Sequence, residues 1–214
     1  YFSHLELESL PTGGWGYDHF PLSAKFAETL GYDYLGMTGK FHLTWGEFGG
    51  YKHPNALRYE CAAMLAHGAK CSVGDQLHPT GELNRSTYRI IGEAYREVKA
   101  KEPWCNDTRN VADIALISHE SHRGIPAGEI NDGVDTGATR LLLEGHYLFD
   151  IIHPDAEFDP YRALILPDDF DIAGELEIKL RTYLSKGGRI ILSGTSGLKD
   201  SGFVFAAETG ASHH

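Results

Sequence analysis

Three times in its first hundred residues the chain repeats one pattern: a short apolar strand, a loop, then a helix. SHLELES (3–9) runs into LPTGGWGYDHF and a helix pattern at about 22–31. YDYLGMT (32–38) runs into GKFHLTWGEFGGYKHP and a helix over Asn55–His67. AKCSVG (69–74) runs into DQLHPTGELN and a helix over Ser86–Lys101. The helices rest on apolar spacing: Leu57, Cys61, Met64 and Leu65 in one, Tyr88, Ile91, Tyr95 and Val98 in the other. Gly31 and Gly68 stand where helices stop. Strand–helix units in direct succession point to a parallel sheet.

KEPWCNDTRN (101–110) breaks the pattern, and Pro103, Asn106 and Asp107 mark a boundary. A second α/β series follows. ADIALIS (112–118) is a buried strand, Thr136–Tyr147 a helix and FDIIH (149–153) a short strand. YRALILP (161–167) is apolar almost throughout, the pattern of a strand covered on both faces. A helix over Ala173–Ser185 closes at Gly187 and Gly188, and RIILSG (189–194) is the next strand. This is a doubly wound, flavodoxin-like pattern.

Composition narrows the partners. The 214 residues fit one large domain or two small ones. The net charge is -11 with no basic run, which argues against nucleic acid. No apolar run approaches the ~20 residues of a membrane helix, so no membrane partner is expected. Cys61, Cys71 and Cys105 give neither a disulfide framework nor metal spacing, and a reduced, cytoplasmic setting is expected. The chain opens on Tyr1, inside what reads as a strand, and so reads as a piece of something longer. His213 and His214 read as the stub of a tag, ending a tail over 201–214.

The chemistry concentrates in the loops after the first three strands. Glu6 and Glu8 share one strand face, and two acids on an inward face are costly unless paired or used. Trp15, Tyr17, Asp18 and His19 follow directly. The next loop carries Lys40, His42, Trp45 and Glu47; the third adds Asp75, Gln76 and His78. Aromatic rings beside charged groups suit sugars, since the ring stacks on the apolar pyranose face while the charges bind hydroxyls. The bland alternatives are an acidic edge strand, a loop packed by its own aromatics, and Asp75 as a turn residue before Pro79. His4, His53, His67 and His146 read as surface or core. The second half is chemically quiet. GTSGL (194–198) is no phosphate loop, no Gly-x-Ser-x-Gly elbow occurs there, and HESHRG (119–124) reads as an exposed loop.

The segment NALRYECAAMLAHGAKCSVGDQLHPTGELNRSTYRIIGEAYREV resembles the end of the catalytic barrel in glycoside hydrolases that carry a β-galactosidase-type trimerisation domain, as in family 42. The loops ESLPTGGWGYDHF and MTGKFHLTWGEFGG are similar to a branch related to bacterial α-L-fucosidase-like proteins. The resemblance implies that 1–105 is the last three βα units of a (β/α)8 barrel. It implies that 110–200 is a trimerisation domain, related in fold to glutamine amidotransferase domains. Family 42 enzymes end their seventh strand in a nucleophilic Glu; here that strand ends in Met37-Thr38-Gly39, which leaves Glu8 and Glu47 as the nearest carboxylates. The expectation is a retaining glycosidase of β-galactoside or α-L-fucoside type, without metal or organic cofactor, acting on carbohydrate as a homo-oligomer, a trimer. The piece alone is expected to be inactive. The rival from another class is a non-catalytic carbohydrate-binding or assembly module; a flavodoxin-like binding protein is a third possibility, against which the missing flavin loop counts.

Overall fold

A computed structural model describes residues 3–124, 133–200 and 202–210; His213 and His214 lie outside the described residues. The chain divides into two compact units, Tyr1–Asn110 and Val111–His214. Both are α/β with parallel sheets, and among the described residues no helix is long and apolar enough to cross a membrane.

In the first unit β1 (Leu5–Glu8), β2 (Tyr34–Gly39) and β3 (Lys70–Gly74) form a parallel sheet in the order β1-β2-β3. The register aligns Glu8 with Met37 and Met37 with Ser72. Helices α1 (His19–Thr29), α2 (Pro54–Ala66) and α3 (Arg85–Lys101) follow the strands in turn. Apolar burial explains the layering. Phe20, Ala24 and Ala27 of α1 pack with Tyr34, Met64 and Ala69, while Leu57 and Cys61 of α2 pack with Ala94 and Val98 of α3. Gly36 makes this approach possible: a Cβ there would stand 2.6 Å from both Met64 Cγ and Phe20 Cε2. Gly36 therefore faces the helices. By alternation Leu35, Met37 and Gly39 face the other way, with Glu6 and Glu8, which are both exposed.

Helix starts are set locally. His53 Nδ1 accepts from Asn55 N (3.1 Å) ahead of Pro54, and Asn84 Oδ1 caps α3 through Ser86 N (2.9 Å). Helix α1 begins at His19, before the point its apolar spacing indicated. Pro21 is tolerated in the first turn, where its missing N–H would have no helical partner.

In the second unit β4 (Ile114–Ile117), β5 (Phe149–Ile152), β6 (Ala163–Leu166) and β7 (Arg189–Leu192) form a parallel sheet in the order β5-β4-β6-β7. Its core joins Ala115, Ile117, Leu164, Leu166 and Phe170 to Leu180 and Tyr183 of α6 (Gly174–Ser185). Three expectations change here. HESHRG is not an exposed loop: α4 (His119–Arg123) forms there and His119 is fully buried. The buried carboxylate of Asp135, in α5 (Val134–Glu144), accepts from Ser118 Oγ, His119 N and Glu120 N at 2.8–3.1 Å and so fixes the start of α4. Strand β6 is not covered equally on both faces; Leu164 and Leu166 are fully buried, while Ala163 and Ile165 stay partly exposed. Nor is the stretch from 202 simply a tail. β8 (Leu198–Lys199) pairs with β9 (Gly202–Phe203), Phe205 enters the core, and α7 (Ala206–Thr209) follows.

Gly36→Ala should lower stability by about 1–3 kcal/mol, because the added methyl overpacks the Met64–Phe20 contact. Urea denaturation of the two proteins checks it; an unchanged midpoint would mean the sheet–helix spacing relaxes freely.

Candidate functional site at the carboxyl edge of the first sheet

The loops after β1, β2 and β3 leave from one sheet edge and touch one another. A Cβ on Gly13, in the first loop, would lie 2.6 Å from the Leu43 carbonyl of the second. The second and third loops meet where the Phe48 and His78 rings stand edge to face at 6.4 Å and where Asn84 Nδ2 donates to Tyr51 Oη at 2.9 Å.

Trp45 is the centre of this edge. Its indole lies over the last residues of β2 and β3. A Cβ on Gly74 would be 2.4 Å from Trp45 Cη2, and one on Gly39 would be 3.6 Å from Cε3. Any side chain at Gly74 would displace the ring. Phe41 braces it at 4.9 Å, yet the indole stays 45% exposed. It is thus a fixed ring with one accessible flank on the open side of the sheet, the geometry a pyranose stacks upon.

Glu8 ends β1 on that same open side, and its carboxylate makes no hydrogen bond or ion pair among the described residues. The next residue, Ser9, is buried. Its N–H bonds the Met37 carbonyl (2.8 Å) and its hydroxyl is hydrogen-bonded to His19 Nδ1 (3.1 Å). Trp15 packs edge-on against His19 at 4.8 Å. Burial pushes the His19 pKa below the ordinary histidine value, favouring the neutral ring, with Asp18 opposing the shift. Tyr17 reaches Glu60 Oε1 at 3.4 Å and packs against Tyr59; burial first, then the Glu60 charge, raises its phenol pKa. Asp18 occupies the position before α1 without capping it.

Other residues are drawn into loop structure. Lys40 is only 6% exposed; its ammonium donates to the Phe48 carbonyl (3.2 Å) and lies over the rings of Phe41 and Tyr51. Glu47 Oε2 accepts from Leu43 N (2.8 Å), and Asp75 Oδ1 from Gln76 N (2.8 Å). His78 Nδ1 accepts from Thr80 N at 3.3 Å. His42 and Gln76 are exposed, with Gln76 against Gly46. The edge therefore brings Gln76 to Gly46 beside Trp45 and His78 to Phe48, whereas the polar atoms of Lys40, Glu47, Asp75 and His78 serve the loops themselves. Among the described residues no group of His, Cys, Asp and Glu could hold a metal ion.

Sequence reasoning missed the buried cluster of Thr38, Lys52 and Glu60 beneath these loops. One signal was available. Glu60 lies between Leu57, Cys61 and Met64 on the apolar stripe of α2, where a carboxylate requires a partner. Lys52 carries no such signal, since a lysine in a polar loop is ordinarily exposed.

No family model matches the sequence, and no curated protein matches it. Solved structures do. Alpha-L-fucosidase isoenzyme 2 from Paenibacillus thiaminolyticus is 54% identical over 93% of this chain, with a TM-score of 0.86, and 30% of that chain is covered. A catalytic mutant of Gan42B, a GH42 beta-galactosidase from G. stearothermophilus, is 15% identical over 91% of this chain and 33% of its own, with a TM-score of 0.71. A beta-galactosidase from the haloarchaeon Halorubrum lacusprofundi gives 16% identity, a TM-score of 0.72, and coverage of 98% and 38%. The two β-galactosidases show likeness of fold alone. The chain spans about a third of the length of each of these glycoside hydrolases, and it matches a part of them.

Burial lowers the pKa of both His19 and His67 below the ordinary 6.5. A group depressed in the folded state favours the neutral ring, so its stabilisation is present above about pH 6.5 and is lost as pH falls through the folded pKa. His67→Gln should therefore flatten the decline in stability between pH 7 and pH 5, read by urea denaturation at each pH. An identical slope in both proteins would show that His67 contributes nothing to it.

Proposed function

We propose that this chain belongs to a retaining glycoside hydrolase, with residues 1–105 as the last three βα units of its (β/α)8 barrel. The observation that carries the proposal is the carboxyl edge of the first sheet, where exposed Glu8 and the indole of Trp45 occupy the open side. Catalytic residues of such barrels come from the ends of several strands. The 54% identity to an α-L-fucosidase supports an α-L-fucoside over a β-galactoside as substrate.

In this reading Glu8 supplies one of the two carboxyl groups, about 5–5.5 Å apart, that retaining hydrolysis needs. Glu47 is the second candidate in this chain; its carboxylate is engaged by Leu43 N and would have to leave that bond. Trp45 stacks on the sugar's apolar face. Trp15, Tyr17, Asp18, His19, Lys40, His42, Asp75, Gln76 and His78 form or support the pocket wall, and no metal or organic cofactor is required. The second unit acts in association. Its all-parallel order, 2-1-3-4 when numbered within the sheet, supports a flavodoxin-like, trimerisation-type domain over 110–200.

Assays of the full-length protein on aryl α-L-fucoside and aryl β-galactoside test this. Glu8→Gln should lower kcat by about 10²–10⁴-fold with folding intact. Trp45→Ala should raise KM roughly three- to tenfold, the worth of one aromatic stacking contact. Near-normal kcat in Glu8→Gln would remove Glu8 and leave Glu47 as the better candidate. Sedimentation of the full-length protein should show a species larger than a monomer; a strict monomer at micromolar concentration would remove the association role. The 214-residue piece should be inactive alone, because three strands cannot close an eight-stranded barrel.

A further inference from the structure

Beneath the sugar-facing loops, between the end of β2 and the body of α2, lies an enclosed polar cluster. Lys52 Nζ is 2.7 Å from Glu60 Oε2 and donates to Thr38 Oγ1 at 2.8 Å. Thr38 in turn donates to Glu60 Oε2 at 2.7 Å. All three residues are less than 5% exposed. The remaining carboxylate oxygen of Glu60 faces the Tyr17 hydroxyl at 3.4 Å. A single carboxylate thus joins the first loop, β2, the second loop and α2.

A buried ion pair is a poor device for stability alone, since apolar residues of the same volume often do as well. What this pair fixes is position. Lys52 closes the second loop at its base: its N–H donates to the Lys40 carbonyl (3.0 Å), and Lys40 N–H donates to the Gly74 carbonyl at the end of β3 (2.9 Å). The residues between them carry His42, Trp45 and Glu47. Side-chain anchoring of Lys52 to β2 and α2, and backbone anchoring of Lys40 to β3, fix both ends of the loop, within which the indole of Trp45 lies against Gly74.

We propose that Lys52 and Glu60 are positioning residues, whose ion pair holds the 40–52 loop so that Trp45 is aligned for the sugar. The proposal rests on the glycosidase reading for its ligand but not for its geometry. Neither residue touches substrate; both act through the loop. Removing one partner strands a buried charge, whereas removing both does not. The two effects of the pair can therefore be separated.

The experiment uses the full-length protein labelled with 5-fluorotryptophan, the Trp45 fluorine resonance being assigned from Trp45→Phe. Lys52→Met should lower the melting temperature by roughly 5–10 °C, shift or broaden the Trp45 resonance and raise KM. Lys52→Met/Glu60→Leu should recover most of the melting temperature, yet leave the Trp45 resonance displaced and KM raised roughly two- to tenfold, at most the effect of losing the ring itself. Recovery of melting temperature, resonance and KM together in the double variant would overturn the proposal, because the pair would then be structural only. Thr38→Val, which keeps the ion pair and removes its bridge, should displace the same resonance to a smaller degree; if the double variant does not fold, an unmoved Trp45 resonance in Lys52→Met overturns the proposal instead. Should the wild type turn over neither glycoside, the glycosidase reading falls, while the Trp45 resonance still decides whether Lys52 and Glu60 position the loop.

Discussion

The Lys52–Glu60 pair is the interaction on which the first unit's working edge depends. An ammonium and a carboxylate out of water are tolerated only when every lone pair and proton finds a partner. Here the partners are Thr38 from the strand and Tyr17 from the neighbouring loop, so charge satisfaction and loop geometry are one constraint. Lys40 extends the same logic by other means. Its buried ammonium has a carbonyl and two aromatic rings in place of a carboxylate, so cation–π attraction helps to hold the loop's aromatic residues around it. Two lysines that a polar-loop pattern would put in water are instead buried at the base of the loop that carries Trp45.

The second constraint is the difference between the two sides of β1-β2-β3. One side is closed by α1, α2 and α3 at a spacing that only a glycine at position 36 permits. The other presents Glu6, Glu8, Leu35 and Met37, a mixed surface that neither a buried core nor a purely solvated face would select. Two carboxylates on one strand face beside apolar side chains make sense where the face lines a cavity that holds polar ligands.

Much of this was legible in the sequence, for definite reasons. Strand and helix positions followed from period: Leu57, Cys61 and Met64 recur at helical spacing and all three are buried, while Glu6 and Glu8 alternate with Leu5 and Leu7 and are exposed. The aromatic loops stood out in the sequence as candidate ligand loops because Trp and His beside carboxylates are unusual in plain connections, and the structure brings those loops to one sheet edge. The paired burial of Lys52 and Glu60 was not, because those residues meet only through the fold of the intervening loop. Helix α4 was missed for a related reason. HESHR has no apolar stripe, and what holds it is Asp135, brought to Ser118 by a different part of the chain. The small β8–β9 hairpin escaped because two-residue strands carry no readable alternation.

The two units share one construction, parallel strands with helices between them, and place their chemistry differently. At the carboxyl edge of the second sheet the polar residues answer one another: Asp135 accepts from three donors, Ser193 bonds Asp168, and His119 meets Asp169 at 2.5 Å beside Arg123. Among the described residues these groups hold the turns of that edge together. At the edge of the first sheet the buried charges likewise serve the loops, but the aromatic rings they support remain open, Trp15, Trp45 and Phe48 each more than two-fifths exposed. Partly exposed rings are costly to leave in water, and the apolar face of a sugar is one surface that can cover them. That asymmetry, more than the count of acidic residues, is what favours the first unit as the place to test for ligand binding.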